Sequence, residues 1–507
     1  MVPQAHDWEV ETMRMSAERA TAKAESQRAT REVDGARAAV YWQDGDPRWQ
    51  PRDLTPLTTA ERSDICIVGG GFTGLWTALS IKRLAPATDV VVVEREYSGA
   101  GASGRNGGWV NGWDDLLPTL IARFGRDAGL WLVDASRRSL DDIRDTVKGG
   151  DIDCDLAFTG GLNAALSPAQ VNRVLEPAIV ARELGRDDLF RVLDRAEAVA
   201  LSGSPAAEAA VVILQAGSVQ PALLVQGLRR LAIAAGVRIY EGTPMVGLER
   251  TLPAVVKTPS GSVVADRIVL ATGARLALVP ELRATVFIIP SHVVATSRSK
   301  EVLDRLGWAR GRAFADGRTA VHYGQRTADD RVVFGRGGGR LGYGGRIIPA
   351  HYHDPREIRS IVADMHGLLP ATQDLVVEWR WGGPLERTQH GIPWVGTLGK
   401  HRNINYGLGY SGNGVGASNL IGRTLASLAL GLQDDYARSP LVSEPPSYLP
   451  PEPIRSIGAR AVRSAIERCE IMEDQGRKPD LVSRTLRRFL GFSMPKGVTL
   501  WRREEMD

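Results

Sequence analysis

The sequence predicts an α/β protein: a mostly parallel sheet with helices on both faces, joined to a second domain built on a largely antiparallel sheet. Three observations predict it. Asp64-Ile-Cys-Ile-Val68 and Asp89-Val-Val-Val-Val-Glu94 are continuous apolar runs, the pattern of parallel strands covered on both sides. Between them a glycine turn, Gly69 to Gly74, leads into a helix with Leu75, Ala78 and Leu79 on one face, which completes one βαβ unit. From Val286 to Arg380 the pattern changes to strands (Phe287–Thr296, Thr319–Tyr323, Arg331–Gly335) with one helix over Pro355–Leu368.

Composition sets the limits. The 507 residues are 24% charged, 43% hydrophobic and 6% aromatic, with a net charge of +4, so the chain is globular and long enough for more than one core. That charge is too small and too dispersed to indicate nucleic acid. Cys66, Cys154 and Cys469 lie far apart and form no C-x-x-C pair, which argues against a disulfide framework and against a metal site. Cys66 reads as a core filler. No apolar run reaches the ~20 residues of a bilayer-spanning helix, and Met1-Val2-Pro3-Gln4 does not open a secretory leader. A cytoplasmic protein is expected.

Taken in order, residues 1–40 are polar, with alanine nearly the only apolar type between Ser16 and Ala39, and read as a flexible or helical extension. Tyr41 to Pro56 suits an extended lead-in. Pro221 to Ala235 reads as a helix, Val237–Tyr240 as a strand, and Val255–Lys257 with Val263–Val264 as a hairpin around Ser260-Gly261. Arg267 to Gly273 and Asn403 to Tyr410 are strands, the latter followed by a helix with Ile421, Leu425, Leu428 and Leu432 on one face. A proline-rich linker, Pro445–Pro453, precedes a charged helix whose end, Arg484–Leu490, is expected to pack across the domain seam. The expected division is 41–112, 201–280 and 376–440 for the cofactor domain, 113–200 and 281–375 for the substrate domain, and 441–507 for the C-terminal linker and helix.

Gly69-x-Gly71-x-x-Gly74 opens a helix after a strand, where free N–H groups and the helix dipole favour a pyrophosphate. Glu94 ends the next strand 20 residues past Gly74, where an acid accepts ribose hydroxyls. This unit alone does not separate nicotinamide from flavin. Three more stretches look built for close backbone approach: Gly99–Gly108, Ala271-Thr272-Gly273 and Gly407–Gly416. One long ligand crossing pieces remote in the chain accounts for all four.

The sequence resembles the D-amino acid oxidase superfamily of FAD enzymes, and within it the gamma-glutamylputrescine oxidoreductase type. The resemblance is carried by Ile67 to Ala78, Gly101 to Gly108, Val219-Gln-Pro-Ala222, Asp330 to Gly335, Trp381-Gly-Gly383 with Gly391 to Gly396, and Gly409-Tyr-Ser-Gly412. It implies a discontinuous FAD-binding Rossmann-like domain. Gly69, Gly71 and Gly74 would contact the pyrophosphate and Glu94 the ribose. Ser103, Gly104, Arg105, Asn106, Gly107 and Gly108 would wrap the flavin side, and backbone at Val246 would hold adenine. Gly409, Gly412, Asn413, Gly414 and Val415 would run beside the flavin pyrimidine edge. Phe72, Thr73, Arg95, Thr272 and Gly273 complete the expected cofactor contacts.

The implied reaction is oxidation of a C–N bond in a primary or secondary amine (a polyamine derivative, N-alkyl amine or aminophosphonate) to an imine that hydrolyses to a carbonyl. Oxygen is the expected acceptor, giving peroxide; a dehydrogenase serving a quinone or carrier protein is the alternative, and a flavin-bearing assembly protein a third reading. Tyr410 is the first candidate contact for the reacting amine, followed by His292, His322 and Tyr323, with Trp381 and Arg326 also considered; each histidine alone reads first as structural. Three departures bear on this. Leu385 stands where glycine and D-amino acid oxidases carry a carboxylate-binding arginine, and Asn413 where many relatives have histidine. No lysine occurs between Thr258 and Ser299, where sarcosine-oxidase relatives activate oxygen. No cysteine falls where some relatives attach FAD covalently, so noncovalent binding is expected.

Overall fold

The valine run Val90–Val93 is buried at every position, so the strand has both faces covered. In the computed structural model, which describes residues 28–444 and 448–490, it pairs in parallel with Ala60–Val68 and with Arg238–Tyr240. The sheet continues through Ser262–Leu270 and Ile404–Leu408, both parallel, and ends on Trp394–Leu398, which is antiparallel. Ser262–Leu270 is one strand where two shorter ones were expected, and the predicted hairpin forms between it and Ala254–Lys257.

Alternation decides what each face meets. Ile65, Ile67, Val90, Val92 and Val269 pack on one side with the helices Phe72–Leu84, Leu117–Phe124, Arg126–Gly149, Pro221–Ala234 and Ala417–Ala429. Cys66, Val68, Val91, Val93 and Leu270 pack on the other with hairpin residues Ala254 and Val256 and the 3-10 helix Gly273–Leu278. All three cysteines are buried and free, as a core-filling role requires.

The second sheet has eight strands in the order Val377–Arg387, Phe287–Thr296, Val332–Gly337, His322–Arg326, Ala313–Asp316, Gly161–Ala165, Ala209–Ile213 and Phe190–Leu193. Every pairing is antiparallel except Ala313–Asp316 with Gly161–Ala165. One face carries Val294 and Phe334 against the helix Pro355–Leu368; the opposite face carries Val293, Ala295, Trp379 and Trp381 against Tyr41 and Trp42.

Three expectations on domain limits are corrected. Ala209–Ile213 and Val377–Arg387 belong to the second sheet, not to the cofactor half, because their partners are Gly161–Ala165 and Phe287–Thr296. The helices Leu117–Phe124 and Arg126–Gly149 bury Leu117, Leu120, Leu132 and Ile143 against the first sheet. Residues 28–35 form a helix that buries Ala29 and Val33, with Ala36 following, in the second core, and His366 meets Glu32 at 3.2 Å. Small residues at helical spacing sufficed for that docking; residues 1–27 lie outside the described residues. Arg484–Leu490, the end of the helix Leu481–Arg487 and the turn after it, docks on Ile454–Asp474 through an Arg487–Glu473 pair.

Two features fix the frame around the carboxyl ends of the parallel strands. A Cβ on Gly422 would stand 2.9 Å from the Thr77 backbone nitrogen, so the helices Ala417–Ala429 and Phe72–Leu84 touch backbone to backbone. Glu241, fully buried, accepts from Arg52, Arg229 (2.9 Å to Oε2) and the Ser98 N–H (2.7 Å). Burial alone raises its pKa, but these donors outweigh burial and pull it from 4.5 to about 2.

Gly422→Val should lower stability in urea unfolding by roughly 1–3 kcal/mol, since the contact is with backbone and cannot yield. The stabilisation from Glu241 should be complete above its unfolded-chain value and fade as pH falls from about 4.5 towards about 2. Glu241→Gln should therefore flatten the stability–pH curve in that window; an unchanged acid limb would contradict the assignment.

Candidate active site

The first glycine turn is shaped by crowding. Gly69 has φ +114°, and a Cβ there would meet the Ala271 carbonyl oxygen at 2.5 Å. A Cβ on Gly74 would lie 1.9 Å from the Gly69 carbonyl oxygen, so the helix start seats directly on the turn. Ser103, from the second glycine stretch, accepts the Phe72 N–H at 2.9 Å. Glu94 accepts from the Gly70 N–H (2.7 Å) and the Glu96 N–H (3.0 Å), which fixes its carboxylate at the strand tip. Burial raises the Glu94 pKa, against the pull of those backbone donors. Arg95 beside it pairs with Glu96.

The second stretch is braced from within and from outside. Asn106 donates to the Ala102 and Ser103 carbonyls and accepts the Gly108 N–H at 2.8 Å. Three donors from elsewhere reach its carbonyls: Trp42 Nε1 to Asn106 O, Trp381 Nε1 to Arg105 O, and Gln325 Nε2 to Gly107 O, at 2.7, 2.7 and 2.8 Å. Trp42 and Gln325 were not among the sequence candidates, because partners 64 and 218 positions away leave no local pattern. Trp381, considered as a substrate contact, is instead a buried support.

The last stretch closes on the first. Tyr410 Oη lies 2.6 Å from Thr73 Oγ1, and Asn413 Nδ2 donates to the Gly112 carbonyl at 3.5 Å. Beneath them Glu386 is buried with its pKa raised by desolvation, partly offset by the N–H groups of Gly409 and Tyr410. The Val246 N–H is bonded to Lys257 O at 2.8 Å, so only its carbonyl is available to a base.

These segments line one cavity of about 2060 Å³. That exceeds the roughly 300–1,000 Å³ of an ordinary ligand pocket and leaves room for a long ligand plus a substrate. Of the residues expected at the site, Gly74, Gly104, Gly108, Gly409, His292, Trp381 and Arg326 lie outside its wall; the others line it. A Cβ on Gly101 or Gly412 would meet nothing within 4 Å, so backbone stands open to the cavity there.

Strand alternation separates the remaining candidates. Tyr323 and Ser291 share the cavity-facing side, with hydroxyls 2.7 Å apart, and Gly107 packs on the tyrosine ring. Burial pushes the Tyr323 pKa up to about 12 and raises that of Tyr410 as well, so both hydroxyls stay protonated. His292 faces the other side, where its Nε2 meets the Ala350 carbonyl at 3.0 Å, and it is not a cavity contact. His322 lines a far lobe of the cavity, held by Asp316 (2.7 Å) and Asp364 (3.1 Å). Burial opposes its charge, but the two carboxylates raise its pKa above the usual value. Arg326 is buried against Asp330, Asp304 and the Trp308 carbonyl, which corrects both the exposed and the substrate-binding reading.

Wall residues outside the sequence candidates come from two places. Asn111, Asp115 and Thr119 follow the second glycine stretch, and the helix Ile454–Asp474 lays Gly458, Val462, Ile466 and Glu470 along the far side. Glu470 accepts from the Thr319 N–H at 2.8 Å, and Arg463 and Asp474 pair with Glu357 and Arg318. A charged helix after a proline-rich linker gives no sign in sequence of which cavity it covers.

Comparison with known proteins agrees with this geometry. Residues 64–428 match the model of the FAD dependent oxidoreductase family. The chain is 31% identical over 383 residues to gamma-glutamylputrescine oxidoreductase of Escherichia coli (strain K12), covering 74% of this chain and 86% of that protein. It is 30% identical over 407 residues to the probable oxidoreductase OrdL of Rhizobium meliloti (strain 1021), covering 75% and 86%. Among solved structures, glycine oxidase from Geobacillus kaustophilus superposes with a TM-score of 0.60 at 20% identity, over 76% of this chain and 98% of that one. Four converging glycine-bearing segments that line one cavity, two of them with open backbone at Gly101 and Gly412, and an oriented acid at the strand tip fit the cofactor of that family, and the chain belongs to the FAD-dependent oxidoreductases.

Proposed function

We propose that the protein oxidises the C–N bond of a small primary or secondary amine, such as a polyamine derivative, N-alkyl amine or aminophosphonate, to an imine that hydrolyses to a carbonyl. The observation that carries this reading is the pair Tyr323 and Tyr410. Tyr323 lies on a strand of the second sheet and Tyr410 in the loop after the strand Ile404–Leu408 of the first; both line one cavity and keep their hydroxyls neutral by burial. FAD supplies the hydride acceptor when bound. The chain's part is to position the substrate and strip its water. An alkylamine with a pKa near ~10 must lose its proton before its lone pair can assist departure of the hydride. A desolvating aromatic wall disfavours the ammonium form and thereby promotes that loss. Neither tyrosine is a base at neutral pH, but each can hold the nitrogen by a hydrogen bond. Relatives named for gamma-glutamylputrescine and glycine support a nitrogen-bearing substrate.

Leu385 lines the cavity in place of the arginine that holds a carboxylate in amino acid oxidases, which favours amines. Arg387, two residues on, also lines it, its pKa pulled down to about 10 by burial, and keeps amino acids in the comparison. For the electron acceptor, oxygen yielding peroxide is our first reading. The absence of lysine from the described cavity wall favours the second, transfer to a quinone or carrier protein.

An anaerobic panel of amines and amino acids should bleach the flavin with amines ahead of α-amino acids; preference for amino acids would overturn the amine reading. Peroxide formed under air at the rate of flavin reduction would establish oxygen as acceptor. Tyr410→Ala should slow flavin reduction at least ~10-fold while FAD stays bound, and unchanged reduction would remove Tyr410 from the site. Gly71→Val, whose side chain would strike Ser103 Oγ (2.8 Å from a Cβ), should yield protein without visible flavin absorbance.

A further inference from the structure

Two neighbouring carboxylates on the turn Asp114–Leu116 have different surroundings. Asp114 is buried and bonded to Arg137 at 2.9 Å. Asp115 lines the cavity, and its Oδ1 is buried without a hydrogen bond among the described residues. Burial first, and the Asp114 charge second, push the Asp115 pKa up to about 7; the backbone N–H groups of Asp115 and Leu116 offset them only in part.

Five other acids of the cavity wall are engaged. Glu94 accepts two backbone N–H groups, and Glu386 is faced by those of Gly409 and Tyr410. Asp316 and Asp364 hold His322, and Glu470 accepts from Thr319 and Ala320. Asp115 alone among them presents a buried oxygen, Oδ1, with no hydrogen-bond partner among the described residues, and an unmatched buried polar atom is costly.

We infer that Asp115 is the anion of a subsite that binds the second, non-reacting ammonium of a substrate carrying two amino groups. The inference rests on the amine-oxidation reading and deepens it. An acid next to the reacting nitrogen would favour its ammonium form and oppose the reaction, so Asp115 suits the remote end. Gly112 O accepts from Asn413, so the turn joins the same cavity wall as the Gly412–Val415 loop. Leu116 and Pro118 continue the wall from there and offer apolar surface to a methylene chain.

The test uses dithionite-reduced holoprotein, which cannot turn over, titrated calorimetrically with 1,4-diaminobutane and with n-butylamine. Wild type should bind the diamine at least ~10-fold more tightly, the scale of one charge-assisted hydrogen bond. Asp115→Asn should abolish that preference while leaving n-butylamine affinity and FAD content unchanged; Asp115→Ser serves if the asparagine variant loads FAD poorly. Equal affinity for the two amines in wild type, or a diamine preference that survives in both variants, overturns the subsite. Equal weakening of both amines overturns it too, as a merely structural effect. Failure of every amine to bleach oxidised flavin would count against amine oxidation, whereas the subsite is judged on these binding constants alone.

Discussion

Gly69 has no room for a side chain because the Ala271 carbonyl stands 2.5 Å from the place its Cβ would take. That contact draws the ends of two parallel strands so close that their loops must share one crevice. Gly74 seats the helix on the same turn, and Tyr410 reaches Thr73 from the far end of the chain. Crowding at the carboxyl ends of the strands thus makes a single site from pieces more than 300 positions apart. Ligands in open α/β sheets bind at such ends because helix N-termini and free backbone donors converge there.

A crevice built on glycine needs external restraint, since glycine loses the most conformational freedom on ordering. The second sheet and the short helix Tyr41–Asp44 packed on it supply it. Trp42, Trp381 and Gln325 each donate to a carbonyl of Arg105–Gly107, and Asn106 ties the loop to itself. Glu241 anchors the approach to the same loop at Ser98. The cofactor loop is therefore coupled to the strand that carries Tyr323, one step from Gln325 on the same face. Disturbing the second sheet should loosen the cofactor as well as the substrate.

The βαβ unit, the glycine segments and the valine strand could be read from residues alone because their causes are local: period, turn chemistry and helix caps. Domain limits could not. Ala209–Ile213 is an apolar strand that suits either sheet, and only its partner Gly161–Ala165 decides. The histidines show the same limit at finer scale. Whether a residue faces the cavity depends on register, and His292, Arg336 and His322 stand opposite one another on the side away from Tyr323. A strand placed at Thr319–Tyr323 instead of His322–Arg326 leaves that parity undefined. For residues 28–36, read as part of a flexible or helical extension, the docking left no sign for another reason: alanine and one valine at helical spacing bury little surface, yet they pack in the second core.

Charge in the cavity follows from the same geometry. Its far lobe is crossed by ion pairs, Arg463 with Glu357, Arg318 with Asp474 and His322 between two aspartates, so cations and anions there satisfy one another. The side bearing Tyr323 and Tyr410 presents neutral hydroxyls, and burial disfavours the charged forms of Glu386 and Arg387, which also line the cavity. Such a division suits a reaction in which a nitrogen must shed its charge before it reacts. Fixed charges near that nitrogen would hold it as an ammonium or repel it, whereas paired charges at a distance are screened by one another. The helix Ile454–Asp474, beyond the family-matched region, supplies one partner of two of those pairs, so this chain closes its cavity with a segment the family domain does not provide.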